Sequence, residues 1–255
     1  MKCKICTGNA EPAFKHLVLN KYDVQYYRCP NCYFIQTEEP YWLDEAYNNP
    51  LNLSDTGILK RNAYFLKKTA VLDYFLFGTD KKHLDYAGGY GVFTRMMRDV
   101  GFDYYWTDKY ADNLLARGFE AKEDERFATV SAFEFFEHVV NPVSETKNLC
   151  KYADTIIFST VLHGQTTPNL NWWYYAFNHG QHVAFHSLES LQVLAKSVNM
   201  NLYSNGTNFH VFSARKLSPL IMKFFFRFSP YGIISIVKAG MKSRTDADSA
   251  MLEGR

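Results

Sequence analysis

The sequence has no long uninterrupted apolar run and no stretch typical of a secretory signal. Charged residues interrupt every apolar segment before it reaches the roughly 18 residues that a membrane span needs. Met1–Thr7 is polar and carries two cysteines, unlike the apolar centre of a signal peptide. These absences predict a cytoplasmic protein.

A strong net charge is also missing, since the 255 residues sum to +2 at pH 7. Residues 215–255 hold eight basic and three acidic residues, which leaves 20 basic and 23 acidic residues in the first 214. A mildly acidic body lacks the positive surface that nucleic-acid binding requires, so no nucleic-acid partner is expected. The length and an apolar fraction of 47% predict one large α/β domain with small attachments.

Cysteine is scarce, and four of the five cysteines form two C-x-x-C pairs with 22 residues between them. Cys3, Cys6, Cys29 and Cys32 at this spacing can close a tetrahedral zinc site, which also indicates a reducing compartment. A closed site of four thiolates leaves no position for a substrate, so the zinc is expected to be structural. The fifth cysteine, Cys150, is expected to pack in the core.

Glycine is concentrated in one stretch, His83–Gly91, which reads His-Leu-Asp-Tyr-Ala-Gly-Gly-Tyr-Gly. Asp85 lies near the end of a predicted buried strand, and the glycines allow a tight turn and a close approach of the backbone to a ligand. Val92–Arg98 then has helical periodicity. A strand, a glycine turn and a helix form the first unit of a nucleotide-binding α/β fold.

The spacing of the glycines separates two kinds of nucleotide site. A dinucleotide site needs a small third residue, where this sequence has Thr94. The pattern D-x-G-x-G-x-G matches better, as Asp85, Ala87, Gly89 and Gly91, with alanine replacing the first glycine. This stretch resembles class I methyltransferases that use S-adenosylmethionine (SAM). If position 87 needs a positive φ, alanine costs about 1 kcal/mol; if only close approach matters, its methyl group can fit.

A carboxylate follows the next predicted strand, Asp103–Thr107. Asp108 lies 23 positions beyond Asp85 and, at a strand end, can accept hydrogen bonds from both ribose hydroxyls of a nucleoside. The resemblance implies SAM as cofactor. The predicted cofactor-binding residues are Asp85, Ala87, Gly88, Gly89, Gly91, Asp108, Lys109 and Glu134.

The predicted strand Phe127–Phe133 runs into a cluster of ionisable residues, Glu134-Phe-Phe-Glu137-His138. At the carboxyl end of a strand, this cluster is expected to face the same crevice as the glycine turn. In one interpretation Glu134 touches the cofactor and the others cap the next helix. In the other, Glu134, Glu137 and His138 on one helical face bind a divalent metal.

The E-x-x-E-H sequence resembles the motif of ubiquinone-pathway O-methyltransferases and small-RNA 2′-O-methyltransferases. The resemblance implies a divalent cation, Mg²⁺ or Mn²⁺, beside the acceptor hydroxyl, and by analogy His182 as a fourth ligand. The alternative is that these side chains only hydrogen-bond to groups around the site and bind no metal. His182 or His138 could then act as general base, with Glu137 beside them.

Aromatic residues dominate two further segments. Residues 161–185 interleave tryptophan and tyrosine with histidine and glutamine, which suits stacking on a polyhydroxylated acceptor; the alternative is a hydrophobic lid. The linker at residues 39–60 is expected either to cover the SAM pocket or to pack the zinc module against the core.

The basic, apolar C-terminal tail allows two interpretations. Between Arg215 and Thr245 there are seven basic residues and no acidic one. This pattern predicts an interfacial helix on an anionic membrane, or a helical hairpin packed on the body or at a dimer interface. Met251–Arg255 resembles an expression remnant, and no fold element is predicted for it.

The predicted fold is α/β, a Rossmann-like SAM methyltransferase sheet with a closing antiparallel hairpin, a small zinc-ribbon-like module and a helical tail. The predicted division places a zinc module at 1–38, an aromatic linker at 39–60, the methyltransferase domain at 61–215, the tail at 216–250 and the remnant at 251–255.

The predicted function is SAM-dependent O-methylation of a sugar or glycan hydroxyl with help from a divalent metal. This follows the resemblance to methyltransferases that carry an N-terminal zinc module, several of which modify sugars. The alternatives are metal-free C- or N-methylation of a nucleotide sugar and a non-catalytic binding module. Partners are expected to be a small-molecule or glycan acceptor, with peripheral membrane contact and an oligomer as further options.

Overall fold

A computed structural model describes residues 1–48 and 55–254. The predicted linker residues Asn49 and Pro50, with 51–54, lie outside the described residues, as does Arg255. The strands are β1 (Glu11–Val18), β2 (Tyr22–Arg28), β3 (Ile35–Thr37), β4 (Lys82–Tyr86), β5 (Asp103–Thr107), β6 (Val130–Ala132), β7 (Thr155–Ser159), β8 (Ala184–Phe185), β9 (Asn201–Ser204) and β10 (Phe209–Ser213). The helices are α1 (Leu43–Ala46), α2 (Ile58–Leu72), α3 (Val92–Val100), α4 (Pro142–Tyr152), α5 (Leu188–Ser197), α6 (Pro219–Phe228), α7 (Ile234–Gly240) and α8 (Thr245–Leu252).

Within the described residues the strands form two sheets, with orders β1-β2-β3-β8 and β5-β4-β6-β7-β10-β9. β4 pairs in parallel with β5 and with β6, whereas β9 and β10 form an antiparallel pair. The predicted Rossmann-like sheet with a closing antiparallel hairpin is therefore confirmed.

The chain divides into two compact units. The first comprises residues 1–52, 134–150 and 158–214, and the second comprises residues 53–133, 151–157 and 215–255. The division into five segments from the sequence stays a prediction.

The first unit contains the smaller antiparallel sheet, to which a distant part of the chain contributes. β8 pairs with β3, so that Phe185 lies opposite Ile35. The buried core of this sheet includes Val18, Val24, Tyr26, Ile35, Trp42, Tyr174, Tyr175, Val183 and Phe185. The N-terminal strands, the aromatic linker and the insertion at residues 161–185 thus share one core.

Trp42 links two of these segments, because its indole N–H donates to the carbonyl of Gly180 at 2.8 Å. This contact favours packing as the role of the linker. The expectation that the insertion presents its rings to an acceptor is wrong for Tyr174 and Tyr175, which are 0% and 1% exposed. Trp173 between Trp172 and Tyr174 is 72% exposed. A small sheet needs packing against other elements to be stable, and the buried rings of Tyr174 and Tyr175 provide it.

The second unit contains the parallel strands and helices α2 and α3. Helix α2 continues into a π-helical turn over Asp73–Phe77, which ends at Gly78 with a φ of 107°. The predicted strand over 127–133 is shorter, because only Val130–Ala132 has strand pairing. The chain turns at Glu134, whose φ is 51°, a left-handed value that cannot continue a strand.

A buried ion pair joins α8 to α3 in the second unit. The guanidinium of Arg98 donates twice to Asp248, at 2.7 Å each, and also donates to Asp103 at 2.8 Å. The Arg98 guanidinium carbon lies 3.6 Å from the centre of the Phe119 ring. Excluding Met251–Arg255 from the fold is wrong for Met251 and Leu252, which belong to α8.

Replacing Asp248 with alanine should destabilise the protein by about 3 kcal/mol, because it leaves the buried Arg98 guanidinium without its main partner. Urea unfolding followed by fluorescence measures the change. Asp246→Ala, an exposed position of the same helix, is the matched control and should change stability by less than about 0.5 kcal/mol. Equal losses in the two variants would contradict the importance of the pair.

Candidate functional site

The glycine loop, residues 85–91, connects β4 to α3 in the second unit. Ala87, Gly89 and Gly91 have left-handed φ values of 54°, 53° and 82°. Hydrogen bonds fix the turn, since Gly88 N–H donates to the Thr107 carbonyl at 3.1 Å and Gly91 N–H donates to the Gly88 carbonyl at 3.0 Å. The loop is therefore an ordered turn that places backbone atoms at the carboxyl end of β4.

The glycines of this loop serve different purposes. A Cβ at Gly88 would lie 2.7 Å from both Asp85 Oδ2 and Trp106 Cδ1, so the backbone here is packed too closely for a side chain. At Gly89 a Cβ would meet nothing within 4 Å among the described residues. Bare backbone thus faces open space at Gly89, which is the cradle that a nucleoside cofactor needs.

Ala87 occupies a position that requires a positive φ. Of the two alternatives that the sequence left open, the structure selects the one in which alanine costs about 1 kcal/mol. The hydrogen bonds of the loop hold this conformation despite the cost. The substitution of alanine for glycine therefore strains the turn without preventing it.

Asp85 lies buried beneath the loop. Its carboxylate accepts from Thr94 Oγ1 at 2.8 Å and from Ser131 Oγ at 3.4 Å. Burial raises the pKa of Asp85 to about 7, the Thr94 hydrogen bond opposes this rise, and the charge of Asp108 adds to it. Sequence reasoning treated Thr94 only as a mismatch to the dinucleotide pattern and overlooked it as a donor.

Asp108 holds the loop after β5 against the glycine loop. Its Oδ2 accepts from Gly89 N–H at 2.9 Å, and its Oδ1 accepts from the N–H groups of Tyr110 and Ala111 at 2.7 and 2.8 Å. The carboxylate remains partly exposed, so it keeps lone pairs for a ligand. Lys109 is exposed, with its ammonium group 5.0 Å from the centre of the Tyr110 ring.

The E-x-x-E-H sequence lies in the first unit and is not a continuous helix. Glu134 has a φ of 51°, and a single 3-10 turn spans Phe136–His138. The expectation of one shared helical face is therefore wrong. Glu134 binds Ser159 twice: its N–H donates to Ser159 Oγ at 2.7 Å, and Ser159 Oγ donates to Glu134 Oε1 at 2.7 Å.

Glu137, His138 and His182 form a carboxylate–histidine cluster, with one ligand atom of each within 4.8 Å of the others. Glu134, the fourth predicted ligand, is not part of this group among the described residues. The Glu137 side chain is fully buried, and neither of its oxygens has a hydrogen-bond partner of acceptable geometry within the described chain. Burial, and then the charge of Glu134, raise the pKa of Glu137 well above its usual range.

The two imidazoles of this cluster are oriented by neighbouring groups. His182 Nδ1 lies 2.7 Å from the Tyr174 carbonyl, so this nitrogen carries the proton and Nε2 keeps its lone pair. His138 Nδ1 lies 3.1 Å from the Tyr47 hydroxyl. Burial lowers the pKa of His182 to about 4 and that of His138 well below its usual value, the latter also because of His182. Both rings are therefore neutral near pH 7.

The cluster has the chemistry of a metal site. An unpartnered buried carboxylate and two neutral imidazoles are a donor set that divalent transition metals accept. The carbonyl that holds His182 is the outer-sphere partner typical of a metal-bound histidine. Tyr47 and Tyr174 were missed from sequence because their contacts join residues 91 and 8 positions apart.

The four cysteines of the paired motifs also meet in the first unit, with their sulfur atoms within 4.8 Å of one another. Cys3 Sγ lies 3.6 Å from Cys32 Sγ, and Cys6 Sγ lies 3.4 Å from Cys29 Sγ. These separations are close to the roughly 3.8 Å edge of a tetrahedron of thiolates around zinc.

The two C-x-x-C turns repeat the same backbone hydrogen bonds. Thr7 N–H donates to the Cys3 carbonyl as Tyr33 N–H donates to the Cys29 carbonyl, and both donors have left-handed φ values near 60°. A repeated turn of this kind aims two pairs of thiolates at one point. The arrangement fits zinc.

Comparison with protein families shows which family the chain belongs to. The family described as "Methyltransferase domain" matches residues 60–205, more than half of the chain. The chain belongs to this family of methyltransferase domains. No curated protein matches the sequence.

Several solved structures resemble the chain at low identity. The 1,6-didemethyltoxoflavin-N1-methyltransferase of Burkholderia thailandensis is 14% identical, with a TM-score of 0.49 over 81% of this chain and 100% of that one. CalO1, a methyltransferase of calicheamicin biosynthesis, is 11% identical, with a TM-score of 0.47 over 69% of this chain and 60% of that one. This chain thus spans less than two thirds of CalO1.

The raised pKa of Asp85 predicts a pH-dependent cost to stability. The pKa of this carboxyl group rises from 3.8 to about 7 on folding, so the folded protein loses stability as pH increases between these values. Asp85→Asn removes this term, so its stability relative to the wild type should increase by up to about 4 kcal/mol from pH 4 to pH 8. Urea unfolding across this range measures the difference.

Asp112→Asn, at an exposed position, is the matched control, and its stability should equal that of the wild type at every pH. Parallel stability curves for Asp85→Asn and the wild type would show that Asp85 is not protonated in the folded protein near neutral pH.

Proposed function

We propose that this methyltransferase transfers the SAM methyl group to a hydroxyl oxygen of its acceptor, and that Glu137, His138 and His182 hold a divalent cation for this reaction. The observation that carries the proposal is the buried Glu137 carboxylate, which lies beside two neutral imidazoles and has no hydrogen-bond partner of acceptable geometry within the described chain, although Tyr174 and Thr160 lie near enough to lower its pKa in part. Such a carboxylate is costly unless a cation or a proton compensates it.

The glycine loop is the proposed cofactor site. The open space at Gly89 and the exposed edge of Asp108 support this assignment, with Asp108 accepting from the ribose hydroxyls. Asp85 would act from beneath the loop, where the ammonium group of the SAM amino-acid end would favour the charged form of its carboxyl group. Ala87, Gly88, Gly91, Lys109 and Glu134 remain proposed cofactor-binding positions on the strength of the sequence pattern.

The proposed reaction is an in-line displacement. The acceptor oxygen forms a bond to the methyl carbon as the carbon–sulfur bond breaks, and the electron pair stays on sulfur, which leaves as a neutral thioether. Holding the two reactants in line can supply about 7–11 kcal/mol. The acceptor hydroxyl must also lose its proton. A bound divalent cation would lower the pKa of a coordinated hydroxyl, so that its proton could pass to water.

Two imidazoles in the donor set favour Mn²⁺ over Mg²⁺, because Mg²⁺ prefers oxygen ligands. His138 and His182, both neutral near pH 7, can coordinate without first losing a proton. The Tyr174 carbonyl and the Tyr47 hydroxyl would orient the two rings.

A metal-free reaction is the second candidate. It is favoured by the lone pair at His182 Nε2, which could accept the acceptor proton as general base. A histidine with a pKa of about 4 is a weak base, however, and Glu137 would then have to be protonated. C- or N-methylation of a nucleotide sugar belongs to this alternative.

A sugar or glycan hydroxyl is the proposed acceptor, on the strength of the resemblance to zinc-bearing sugar methyltransferases. The exposed Trp173 is the aromatic surface of the insertion that remains able to stack on a sugar face. A small molecule with a free hydroxyl fits the same chemistry.

The four cysteines are proposed to bind a structural zinc ion. Their thiolates would supply a closed tetrahedral set, which leaves no position for a substrate. A cytoplasmic location with peripheral contact to a membrane is also proposed.

Asp108→Asn should weaken SAM binding by at least about tenfold, because the amide nitrogen cannot accept the hydrogen bonds that a carboxylate accepts. Isothermal titration with SAM measures the affinity. Asp112→Asn, an exposed aspartate four positions away, is the matched control and should bind as the wild type does. Unchanged affinity in Asp108→Asn would overturn the proposed cofactor site.

Two classes of bound metal should be separable. Protein dialysed against EDTA should retain zinc and then bind Mn²⁺ at a second site, seen by titration calorimetry. Glu137→Gln keeps the side-chain volume and should weaken Mn²⁺ binding by about 100-fold while the zinc remains. Cys32→Ser should lose zinc but bind Mn²⁺ as the wild type does, provided that circular dichroism shows the variant to be folded.

Exposed Glu123→Gln is the control for the loss of a carboxylate. Full methyl transfer by EDTA-treated protein without added Mn²⁺ or Mg²⁺ would overturn the metal proposal and leave the metal-free base. Equal Mn²⁺ affinity in Glu137→Gln and wild type would overturn the assignment of the ligands.

A further inference from the structure

Helix α6 in the second unit has two apolar faces, and only one of them is buried. Met222 and Phe226, four positions apart, are buried on the side that contacts α2. Phe225 stacks on Phe75 with ring centres 5.4 Å apart. The helix is thereby attached to its own unit by a complete packing face.

The opposite face of α6 is also apolar and is exposed. Leu220, Ile221, Phe224 and Phe228 are 80%, 47%, 51% and 40% exposed. Their spacing places them on one side of the helix, away from Met222 and Phe226. Tyr231, 77% exposed, follows at the break between α6 and α7. Contiguous exposed apolar side chains of this kind mark an interaction surface.

Basic residues flank this face. Lys223 and Arg227, one helical turn apart, lie along its edge and are exposed. The surrounding segment, residues 215–245, carries seven basic residues and no acidic one. We propose that this face, formed by Leu220, Ile221, Phe224 and Phe228 with Lys223 and Arg227, binds the surface of an anionic membrane.

The charge pattern favours a lipid surface over a second copy of the chain as the partner of this face. A two-fold contact through α6 would bring the same basic residues of both copies together, and like charges repel. Anionic headgroups neutralise them instead, while the apolar side chains enter the acyl boundary.

The packing of α6 also favours binding on the membrane surface over crossing the membrane. By length and composition alone, Pro219–Gly240 could cross a membrane. However, Tyr231 and Gly232 have non-helical backbone angles, and Met222, Phe226 and Val237 are buried within the second unit. A helix fixed along one side to α2 can offer only its other side to lipid.

Flotation of the full chain with vesicles tests the proposal. Binding is expected to mixed phosphatidylcholine–phosphatidylglycerol vesicles, weak to pure phosphatidylcholine, and reduced by salt. Phe224→Glu should lower partitioning by at least about tenfold. Lys223→Ala with Arg227→Ala should lower it by about 30-fold on the anionic vesicles.

Leu17→Glu is the matched control, because Leu17 is a 51% exposed leucine on β1 in the other unit. It should bind vesicles as the wild type does. SAM affinity and circular dichroism should be unchanged in every variant, which keeps this test independent of the proposed acceptor.

Three outcomes would overturn the proposal. One is equal, salt-independent binding to neutral and anionic vesicles. Another is no vesicle binding together with a dimer in light scattering that Phe224→Glu dissociates, which would make the face a contact between copies. The third is resistance to carbonate extraction after reconstitution, which would indicate a spanning helix.

Discussion

The hydrogen bond from Gly89 N–H to the Asp108 carboxylate is the interaction on which the geometry of the proposed cofactor site in the second unit depends. It ties the turn after β4 to the turn after β5, and the other oxygen of Asp108 orders the chain that follows. Trp106 reinforces the same link, because its indole N–H donates to the Gly89 carbonyl at 2.9 Å. These hydrogen bonds hold both turns in place within the chain itself, so the proposed cofactor site would have the advantage of preorganisation.

The first unit depends on a different constraint, the burial of groups that would prefer water. Glu137 lies in a fully buried position without a hydrogen-bond partner of acceptable geometry among the described residues, and the neighbouring imidazoles are kept neutral by the same burial. A fold that tolerates such an arrangement gives up stability at that point, and perturbed groups of this kind concentrate at functional sites. The shared aromatic core around Trp42, Tyr174 and Tyr175 supplies the rigid packing that keeps the cluster in place.

Several elements could be predicted because their signals are local. The glycine turn, helix α3 and the strand before Asp108 follow from periodicity and turn chemistry over a few residues. Ser187 caps α5 as its sequence suggests, with Ser190 N–H donating to the Ser187 hydroxyl. Elements that depend on distant partners were missed. The pairing of β8 with β3 joins residues about 150 positions apart, and no short-range pattern in Ala184–Phe185 indicates it.

The sequence by itself determined the class of fold, the pairs of cysteines and the carboxylates after the parallel strands, because each is encoded by spacing along a short segment. Tertiary structure decided which of these residues lie together. It placed His182 beside Glu137 and His138, removed Glu134 from that group by turning its backbone to a positive φ, and buried the tyrosines that had suggested an exposed acceptor surface. The physical reason is that hydrogen-bond partners, burial and pKa depend on atoms brought close by long-range packing, which residue spacing does not specify.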